Sequence, residues 1–598
     1  MKAQKYAVNQ HLIETVLAWV NSGEIAIPEI QRPFVWQASK VRDLLDSLYQ
    51  GYPIGYLIAW RNPTVRTKDG RTAEGKKILI DGQQRVTALS AAILGQPVID
   101  KNYKRVRIVI SFHPIKERFE VRNSAIARDR EWIPDISDVI SGKERVSAVV
   151  REYCRFNPEV AEETVEDALE NLKEIVKKQI GLIELAPDLE IDTVTEIFIR
   201  INSQGVVLSQ ADFVMSKIAS GEAYGGPLLR KTIDYFCHLA VAPDFYKQIV
   251  ENEPQFAATP NFQRMAWLRK ENDDLYDPDY NDMLRVALIT EFQRGRLADL
   301  VSLLSGRNFE TRSFEESIAA DSFTKLESGI MRFMSETEFK RFIMIVKSAG
   351  FIDRRMVRSQ NALNFAYGIY LKLRAEGIDP AKIERLVRRW FVFTLLTNRY
   401  SASAETTFDL DIHNIAERPF DEYLSLMEQA QLTEGFWNVG LVQNLITSSA
   451  VSPHLLLFWA AQVKSGDLGF LSRDITVSDL IAYHGDIHHI FPRAYLKANG
   501  LAQSEYNQIA NYVYMQSEIN IKIGNRSPQA YFAELASQAN GGTIKYGNIT
   551  DAVSLKHSLQ QNAIPEQIAD MSVTDYREFL EQRRRLMAQK IRLYYEAL

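Results

Sequence analysis

Apolar positions recur with helical spacing through the middle of this chain. Between about residues 226 and 445, apolar side chains three and four positions apart mark three long stretches, which are Phe339–Ala349, Asn361–Glu376 and Ala381–Thr397. Because an α-helix has 3.6 residues per turn, this spacing places the apolar side chains on one face of each helix. A Gly-Ile-Asp-Pro run separates the last two stretches. The pattern predicts a mostly helical middle segment.

The first two hundred residues mix strand and helix patterns. Apolar residues alternate with other residues from Val106 to Phe112, with one apolar exception, which predicts a largely buried strand. Lys77–Ile80 is a short apolar run that ends at an Asp81-Gly82 turn. The next residues, Arg85–Leu94, predict a helix whose apolar face contains Val86, Leu89 and Ile93. A strand, a sharp turn and a helix N-terminus therefore follow one another directly.

The length of the chain and its changes of pattern predict several domains. At 598 residues it exceeds the usual size of one hydrophobic core. We expect an α/β head at 1–225, a mostly helical connecting region at 226–445 and a mixed tail at 446–598, which together make an α+β multidomain protein. The polar, proline-bearing stretch Glu251–Pro260 is interpreted as a connector, and Asp575–Ala597 as a helix at the end of the tail.

Composition narrows the class of protein. Hydrophobic residues make up 46% and charged residues 25%, as in ordinary globular proteins. No apolar run is long enough to span a bilayer, so no membrane association is expected. Two cysteines, Cys154 and Cys237, are too few for a disulfide framework or a Cys-rich zinc site. The reducing cytoplasm is the expected location.

The charge balance does not by itself indicate DNA binding. The net charge is -5, whereas proteins that bind nucleic acid by broad charge neutralisation are usually basic. Phosphate contacts would therefore need a bound metal ion or local clusters, and the candidates are Arg354–Arg355, Arg388–Arg389 and Arg583–Arg585. Each cluster taken alone is typical of a solvated helix face.

The first group of candidate catalytic residues lies in the tail. His488 and His489 are adjacent and are followed by Asn511, Asn520 and Lys522. Phosphodiester hydrolysis needs a base to deprotonate water and a cation to stabilise charge on the phosphate. An imidazole titrates near neutrality, and a second imidazole with an amide oxygen can hold a divalent ion that keeps open positions. The alternative is that the histidines merely end a strand beside a core.

In combination these residues resemble the ββα-metal (HNH) nuclease motif, in the variant at the C-terminus of GmrSD-type restriction enzymes. The resemblance implies that His488 is the first metal ligand, His489 the general base, Asn511 the residue that pins the loop and Asn520 the last ligand. Lys522 would contact the scissile phosphate. Many HNH enzymes have Asp and His at the two ligand positions, so the identity of the metal stays open, with Mg²⁺ or Mn²⁺ expected.

The head carries the second constellation, in the runs Ile27–Trp36 and Ile80–Thr87. In the second run a strand enters a helix N-terminus, where free backbone N–H groups favour an anion. Arg85 adds a forked cation, and Gly82 lets the backbone approach a ligand. Taken alone this is weak evidence, because Asp81-Gly82 is also an ordinary turn. Phe34, Trp36 and Tyr56 are expected to be core aromatics.

These two runs, with a third at Glu196–Gly205, resemble the ParB/sulfiredoxin-like head of the same GmrSD group. The resemblance implies binding and hydrolysis of a nucleoside triphosphate, without fixing which one. The implied nucleotide-binding residues are Gln31, Arg32, Asp81, Gly82, Gln83, Gln84 and Arg85. The sequence contains no Gly-x-x-x-x-Gly-Lys-Ser/Thr loop, so a conventional P-loop enzyme is not expected.

A head of this type and an HNH tail in one chain resemble the fused GmrS-plus-GmrD arrangement. That arrangement implies a modification-dependent (type IV) restriction endonuclease that cuts double-stranded phage DNA and is regulated by nucleotide. A homodimer is attractive, since each chain has one nuclease site. Two alternatives stay open, which are a DNA-binding regulator with an inactive nuclease site and a nuclease directed at RNA. The sequence does not indicate which DNA modification is recognised.

Overall fold

The computed structural model describes residues 4–26, 36–61, 77–99, 105–186, 189, 197, 209–270, 275–311, 313–483 and 485–598. The chain is α+β and mostly helical. It forms two compact units, Met1–Arg230 with Val301–Ala319, and Lys231–Leu300 with Ala320–Leu598. The division into 1–225, 226–445 and 446–598 stays a prediction.

The first unit contains a five-stranded mixed sheet and several helices. Its strands are β1 (Tyr6–Leu12), β2 (Ile25–Ala26), β3 (Tyr56–Arg61), β4 (Lys77–Asp81), β5 (Val98–Ile99), β6 (Arg105–Val106), β7 (Ile110–His113), β8 (Arg118–Val121) and β9 (Gln179–Leu185). Its helices are α1 (Ile13–Ser22), α2 (Ala38–Tyr49), α3 (Gln83–Ile93), α4 (Ile136–Ile140), α5 (Val146–Phe156), α6 (Glu162–Lys173) and α7 (Gln210–Ser220).

The main sheet is buried on both faces at its centre. The strand order is β1-β9-β3-β4-β2, with β3 antiparallel to β4 and parallel to β9. Side chains alternate between the two faces of a strand, so Leu57 joins the core formed with α1, α2 and α3, while Ile58 and Trp60 join a second cluster. Burial on both faces accounts for the four consecutive apolar residues Leu57–Trp60 in the middle of β3.

The predicted strand–turn–helix of the head is confirmed. β4 ends at Asp81, Gly82 follows with φ 93°, and α3 begins at Gln83, two residues before the predicted start. Val86, Leu89 and Ile93 are all buried, as the helical spacing predicts. The backbone of β4 therefore runs almost directly into a helix N-terminus.

Two other expectations for the head are wrong. The strand predicted from Val106 to Phe112 is broken, because β6 pairs with β5, whereas β7 pairs with β8. Its apolar positions are nevertheless buried at Ile108, Ile110 and Phe112. Tyr56 is 56% exposed and is not a core aromatic. Trp36 packs against the core while partly buried, and Phe34 lies outside the described residues.

The second unit is mostly helical. The helices of its first part are α8 (Gly226–Val241), which begins in the first unit, α9 (Tyr246–Asn252), α10 (Pro254–Ala257), α11 (Pro260–Arg264), α12 (Tyr280–Ala287), α13 (Leu297–Leu304), which ends in the first unit, α14 (Glu316–Phe333), which begins in the first unit, α15 (Glu336–Ser348), α16 (Gln360–Ala375), α17 (Pro380–Leu396), α18 (Ala404–Glu417), α19 (Phe420–Gln431) and α20 (Leu441–Asn444).

The tail follows with a small two-stranded sheet among further helices. Its elements are α21 (Pro453–Ser465), α22 (Val477–Ala482), β10 (Ile487–His489), α23 (Arg493–Ala498), α24 (Gln503–Tyr506), β11 (Tyr512–Tyr514), α25 (Ser517–Ile523), α26 (Pro528–Ala539), α27 (Ala552–Gln561) and α28 (Tyr576–Glu596). The three long helices predicted in the middle are confirmed as α15, α16 and α17, and the predicted last helix as α28.

The centre of the second unit is α16, whose residues from Ala362 to Leu371 are all buried. A helix buried on every side must lie inside a bundle, and α16 packs against α12 and α17. The stretch Glu251–Pro260 is not an open connector, because Pro254 and Pro260 each occupy the first turn of a short helix, where a missing N–H costs nothing. Within the described ranges, no helix is long and apolar enough to cross a bilayer.

Candidate functional site

The two adjacent histidines of the tail lie on β10, which pairs with β11 in antiparallel register. His488 stands opposite Val513, and His489 stands opposite Tyr512. Successive side chains on a strand point to opposite faces, so the two imidazoles have different surroundings. α25 begins at Ser517, soon after β11 ends. The order is therefore strand, strand, helix, with α23 and α24 inserted between the two strands.

His488 has a ring nitrogen without a protein partner. Its Nε2 atom is buried and accepts or donates no hydrogen bond within the described structure. Burial lowers the pKa of His488, and the nearby Asp486 carboxylate opposes that shift. A buried polar atom without a partner is costly, so this nitrogen is available to bind a water molecule, a ligand or an ion. The lowered pKa favours the neutral imidazole, the form that can hold a metal ion.

His489 is held by a residue from the segment between the strands. Its Nε2 atom lies 3.0 Å from Oδ1 of Asn507. An amide oxygen can only accept, so Nε2 carries the proton and Nδ1 keeps its lone pair. Burial lowers the pKa of His489, and nearby Arg493 lowers it further, while the Asn507 hydrogen bond opposes both. The rings of His489 and Tyr512 pack nearly perpendicular to each other, with their centroids 5.2 Å apart.

Asn511 is fully buried at the end of a short 3₁₀ turn before β11. Its Oδ1 accepts from the backbone N–H of Phe491 at 2.8 Å, and its Nδ2 donates to the carbonyl of Phe491 at 3.1 Å and of Tyr506 at 3.4 Å. These bonds tie Phe491, two residues after the end of β10, to the residue that precedes β11. Asn511 therefore holds the connection in place and does not face solvent.

Asn520 and Lys522 lie on α25. Asn520 is partly buried, and its side-chain amide makes no hydrogen bond within the described structure, so it is not bonded to either histidine. Lys522 is exposed. The structure thus brings His488, His489 and Asn511 together on β10 and its connection to β11, and places Asn520 and Lys522 on the following helix.

The donor set fits a weakly held divalent cation better than a closed structural metal site. Among the residues that the structure describes, no group of three or more His, Cys, Asp or Glu side chains is arranged to hold a metal. His488 and Asn520 supply one imidazole nitrogen and one amide oxygen, both without protein partners. Mg²⁺ commonly takes few protein ligands and fills its remaining positions with water and substrate phosphate. An imidazole nitrogen and an amide oxygen are donor types that such a cation accepts.

In the head, Gly82 permits a close approach of three elements. A Cβ atom at Gly82 would lie 2.3 Å from Cδ2 of Leu57 and 3.4 Å from Nη1 of Arg85. Its φ of 93° is also one that other residues rarely adopt. Arg85 donates from Nη1 to the carbonyl of Tyr56 at 2.8 Å. Burial lowers the pKa of Arg85, and the nearby Asp81 carboxylate opposes this shift.

The other head residues predicted to bind nucleotide lie partly on the turn around Gly82 and partly outside the described residues. Asp81 is partly buried at the end of β4, beside the Arg85 guanidinium. Gln83 donates from Nε2 to the carbonyl of Leu79 at 3.2 Å, and Gln84 is partly buried on the first turn of α3. Five of the seven predicted nucleotide-binding residues, Asp81 through Arg85, therefore lie around one turn. The other two, Gln31 and Arg32, lie outside the described residues, as does most of Glu196–Gly205.

Two residues of the tail site were missed by sequence reasoning. Asn507 holds His489, and Asp486 places a carboxylate near His488. Asp486 had a signal in the sequence, since it lies two positions before His488 and shares its side of an extended chain. Asn507 had none, because its contact spans eighteen residues and depends on how α24 folds back.

The arginine clusters make contacts within the protein, and they differ in how far they are buried. Arg583 is fully buried and donates to the carbonyl of Ala510 at 2.8 Å, next to Asn511. Arg388 donates to the carbonyl of Leu598, and Arg389 forms an ion pair with Glu428. Arg354 pairs with Asp277, and Arg355 pairs with Asp353. On the same helix as Arg583, Arg584 donates to Oε1 of Gln508 at 3.0 Å and Arg585 pairs with Glu581 one turn away. All of these arginines are therefore engaged within the protein, which reduces their availability for phosphate.

Comparisons with known proteins bear mainly on the head. Residues 13–219 match a family model described as "GmrSD restriction endonuclease, N-terminal domain". The chain is also similar to an uncharacterized protein of Methanocaldococcus jannaschii, with 22% identity over 95% of this chain and 96% of that protein. The match supports a GmrSD-type N-terminal region around the Asp81–Arg85 turn. The HNH interpretation of the tail stays a prediction.

Proposed function

We propose that this protein is a DNA endonuclease of the modification-dependent (type IV) restriction class, with its nuclease site in the tail. The family match over the head supports a restriction endonuclease that acts on DNA. The observation that carries the nuclease assignment is the pair His488–His489, where one imidazole has a buried nitrogen without a partner and the other is oriented by Asn507. Its proposed substrate is modified phage DNA.

The chemistry assigned to the tail is phosphodiester hydrolysis. Because Asn507 fixes the proton of His489 on Nε2, the lone pair on Nδ1 takes a proton from the attacking water. His488 and Asn520 would hold a divalent cation, Mg²⁺ or Mn²⁺, which when bound stabilises negative charge on the phosphate and the leaving oxygen. Lys522, exposed on the same helix as Asn520, attracts the DNA backbone. Asn511 keeps the two strands in register.

The function assigned to the head is nucleotide binding and hydrolysis that regulates cleavage. α3 begins immediately after Gly82, and the backbone N–H groups of a helix first turn suit a phosphate group. The Arg85 guanidinium and the Asp81 carboxylate lie beside this turn. Gln83 and Gln84 add amide groups to the same turn, and Gln31 and Arg32 are proposed to complete the site.

The test combines one variant for each site with a matched control. With Mg²⁺ or Mn²⁺ the protein should cut modified phage DNA, and His489→Ala should lower the cleavage rate by at least about 100-fold. Nucleotide hydrolysis should survive in His489→Ala. The control is His413→Ala, since His413 is exposed on α18 and remote in sequence from the site.

For the head, Arg85→Gln should weaken nucleotide binding, whereas Arg128→Gln, a change of an exposed arginine in the same unit, should not.

Normal cleavage by His489→Ala would show that His489 is not the base. The same purified protein also tests the two alternative functions, a DNA-binding regulator with an inactive nuclease site and an RNA-directed nuclease. A regulator with an inactive site would bind DNA without cutting it at any metal concentration, and an RNA-directed nuclease would cut RNA in preference to DNA.

A further inference from the structure

A second site lies within the helical part of the second unit. A cavity of about 480 Å³ is lined by the start of α12, the segment between α15 and α16, the start of α16, the end of α17 with the loop that follows it, and the start of α21. Its volume falls within the range typical of small-molecule sites. No residue predicted from the sequence to carry chemistry lines it. Its apolar walls are formed by Phe351, Met356, Leu395, Pro453 and Leu456.

The polar part of the lining has hydrogen-bonding capacity left over. Gln360 donates from Nε2 to Asp282, which leaves its Oε1 without a partner in the described structure. Asn361 donates a long hydrogen bond to the carbonyl of Tyr400, and its Oδ1 has no partner within the described structure. Asn281 accepts from Arg285 and keeps its Nδ2 donor. The cavity therefore presents both donors and acceptors from amide groups.

The loop on one side of the cavity is held in an unusual conformation. Asn398 has φ 49°, in the left-handed region, and its side chain makes no hydrogen bond within the described structure. The next two residues point inward, where Arg399 forms an ion pair with buried Asp411 and Tyr400 donates to the same carboxylate at 2.7 Å. A satisfied buried network of this kind makes a loop rigid. It presents Asn398 and Ser401 to the cavity.

The charges of the lining exclude a polyphosphate as the enclosed group. Asp279 and Asp282 contribute carboxyl groups, and Arg358 is the one cationic residue of the described lining. Arg358 is exposed and forms no ion pair or hydrogen bond within the described structure. Burial first, and then nearby Asp279, raise the pKa of Asp282 to about 7. A neutral ligand with hydrogen-bonding edges is favoured inside, with at most one phosphate near Arg358.

We propose that this cavity binds a nucleobase. A base has flat apolar faces, which suit the apolar walls, and an edge of donors and acceptors, which suits Asn and Gln side chains and a carboxylate. The base comes either from a DNA strand, as an extruded nucleotide, or from a free nucleotide. The DNA source rests on the proposed function, since it would make the cavity the place where a modified base is sensed.

The two sources are separated by two probes applied to the full-length protein with EDTA, which prevents metal-dependent cutting. The first probe is adenosine, guanosine, cytidine or thymidine at millimolar concentration, detected by saturation-transfer NMR. The second is a duplex with one 2-aminopurine opposite an abasic site, detected by its fluorescence. Binding of the nucleosides alone identifies a free-nucleotide site, and binding of the duplex probe identifies an extruded base.

The decisive variant is Ser401→Phe, which fills the cavity from an exposed position of its lining. It should weaken probe binding by about tenfold or more. Ser403→Phe, in the same loop but outside the lining, should leave binding unchanged. If Ser401→Phe does not fold, Asn398→Gly removes an amide while keeping the left-handed backbone, and it should weaken binding severalfold.

Absence of binding by both probes to the folded wild-type protein would overturn the inference, as would equal binding by Ser401→Phe and Ser403→Phe. The nuclease assignment is tested separately with metal. Base binding without any DNA cleavage would contradict the proposed function alone, and DNA cleavage without base binding would contradict this inference alone.

Discussion

Oδ1 of Asn507 lies 3.0 Å from Nε2 of His489 and fixes the tautomer of this imidazole. The contact joins the end of α24 to β10, so the orientation of the proposed base depends on the segment inserted between the two strands. Because the acceptor is neutral, it directs the proton without adding a charge beside the ring.

Replacement of Asn507 by Leu should therefore lower the rate constant for DNA cleavage by about 10- to 100-fold, the usual effect of losing a residue that orients a reactive imidazole. DNA affinity should change much less. Asn507→Asp keeps an acceptor and should restore most of the cleavage rate, which a purely structural role would not explain. Asn499→Leu is the control, because Asn499 is exposed and bonds only to its own helix. Unchanged cleavage by Asn507→Leu would contradict a positioning role.

Asn511→Ala should destabilise the tail by about 2–3 kcal/mol, because it leaves the buried N–H and carbonyl groups of Phe491 without partners. The measurement is the melting temperature and the urea midpoint of the unfolding transition. Asn540→Ala removes an exposed amide that bonds within its own helix, and it should have little effect. Equal stability of the two variants would show that the Asn511 bonds are not needed to hold the connection.

Gly82→Ala should destabilise the head by more than the strain of its φ angle alone. A left-handed conformation costs a non-glycine residue about 1–2 kcal/mol. At Gly82 a Cβ atom would also meet Leu57 at 2.3 Å, which adds the cost of overpacking. Gly142→Ala is the control, since Gly142 has φ 72° and open space around it. The comparison of their melting temperatures isolates the packing effect, and equal losses would argue against a tight turn.

Asp282 should make the stability of the second unit depend on pH. Burial and Asp279 raise its pKa in the folded protein to about 7, from an ordinary value of 3.8. Between these values the folded state binds more protons than the unfolded state, so the contribution is fully present below about pH 4 and is lost as the pH rises through about 7. Asp282→Asn should flatten this part of the profile.

The measurement is the melting temperature of wild type and variant at intervals from pH 4 to pH 8. The absolute stability of Asp282→Asn should fall, because its amide nitrogen replaces an oxygen that accepts from Gln360 and from the backbone of Asp279. The difference in slope is therefore the diagnostic quantity. Asp570→Asn, a change of an exposed carboxylate, should keep the wild-type slope.

Local patterns predicted the elements that depend on neighbouring residues. The helical spacing of α16 and α17 and the apolar run of β4 ending at Gly82 are visible in the sequence, because backbone geometry sets their periods. The break in the strand predicted from Val106 to Phe112 is not visible, since it depends on which distant strand each half pairs with. The exposure of Tyr56 has the same origin, because strand order decides what covers each side chain.

The sequence by itself determined which residues of the two candidate sites are adjacent along the chain, namely His488 with His489 and Asp81 through Arg85. Only the tertiary structure decided that Asn507 holds His489 and that the loop around Tyr400 lines a cavity. The physical reason is that spacing along the chain reports local backbone geometry, whereas a hydrogen-bond partner or a cavity wall is set by the packing of segments far apart in sequence.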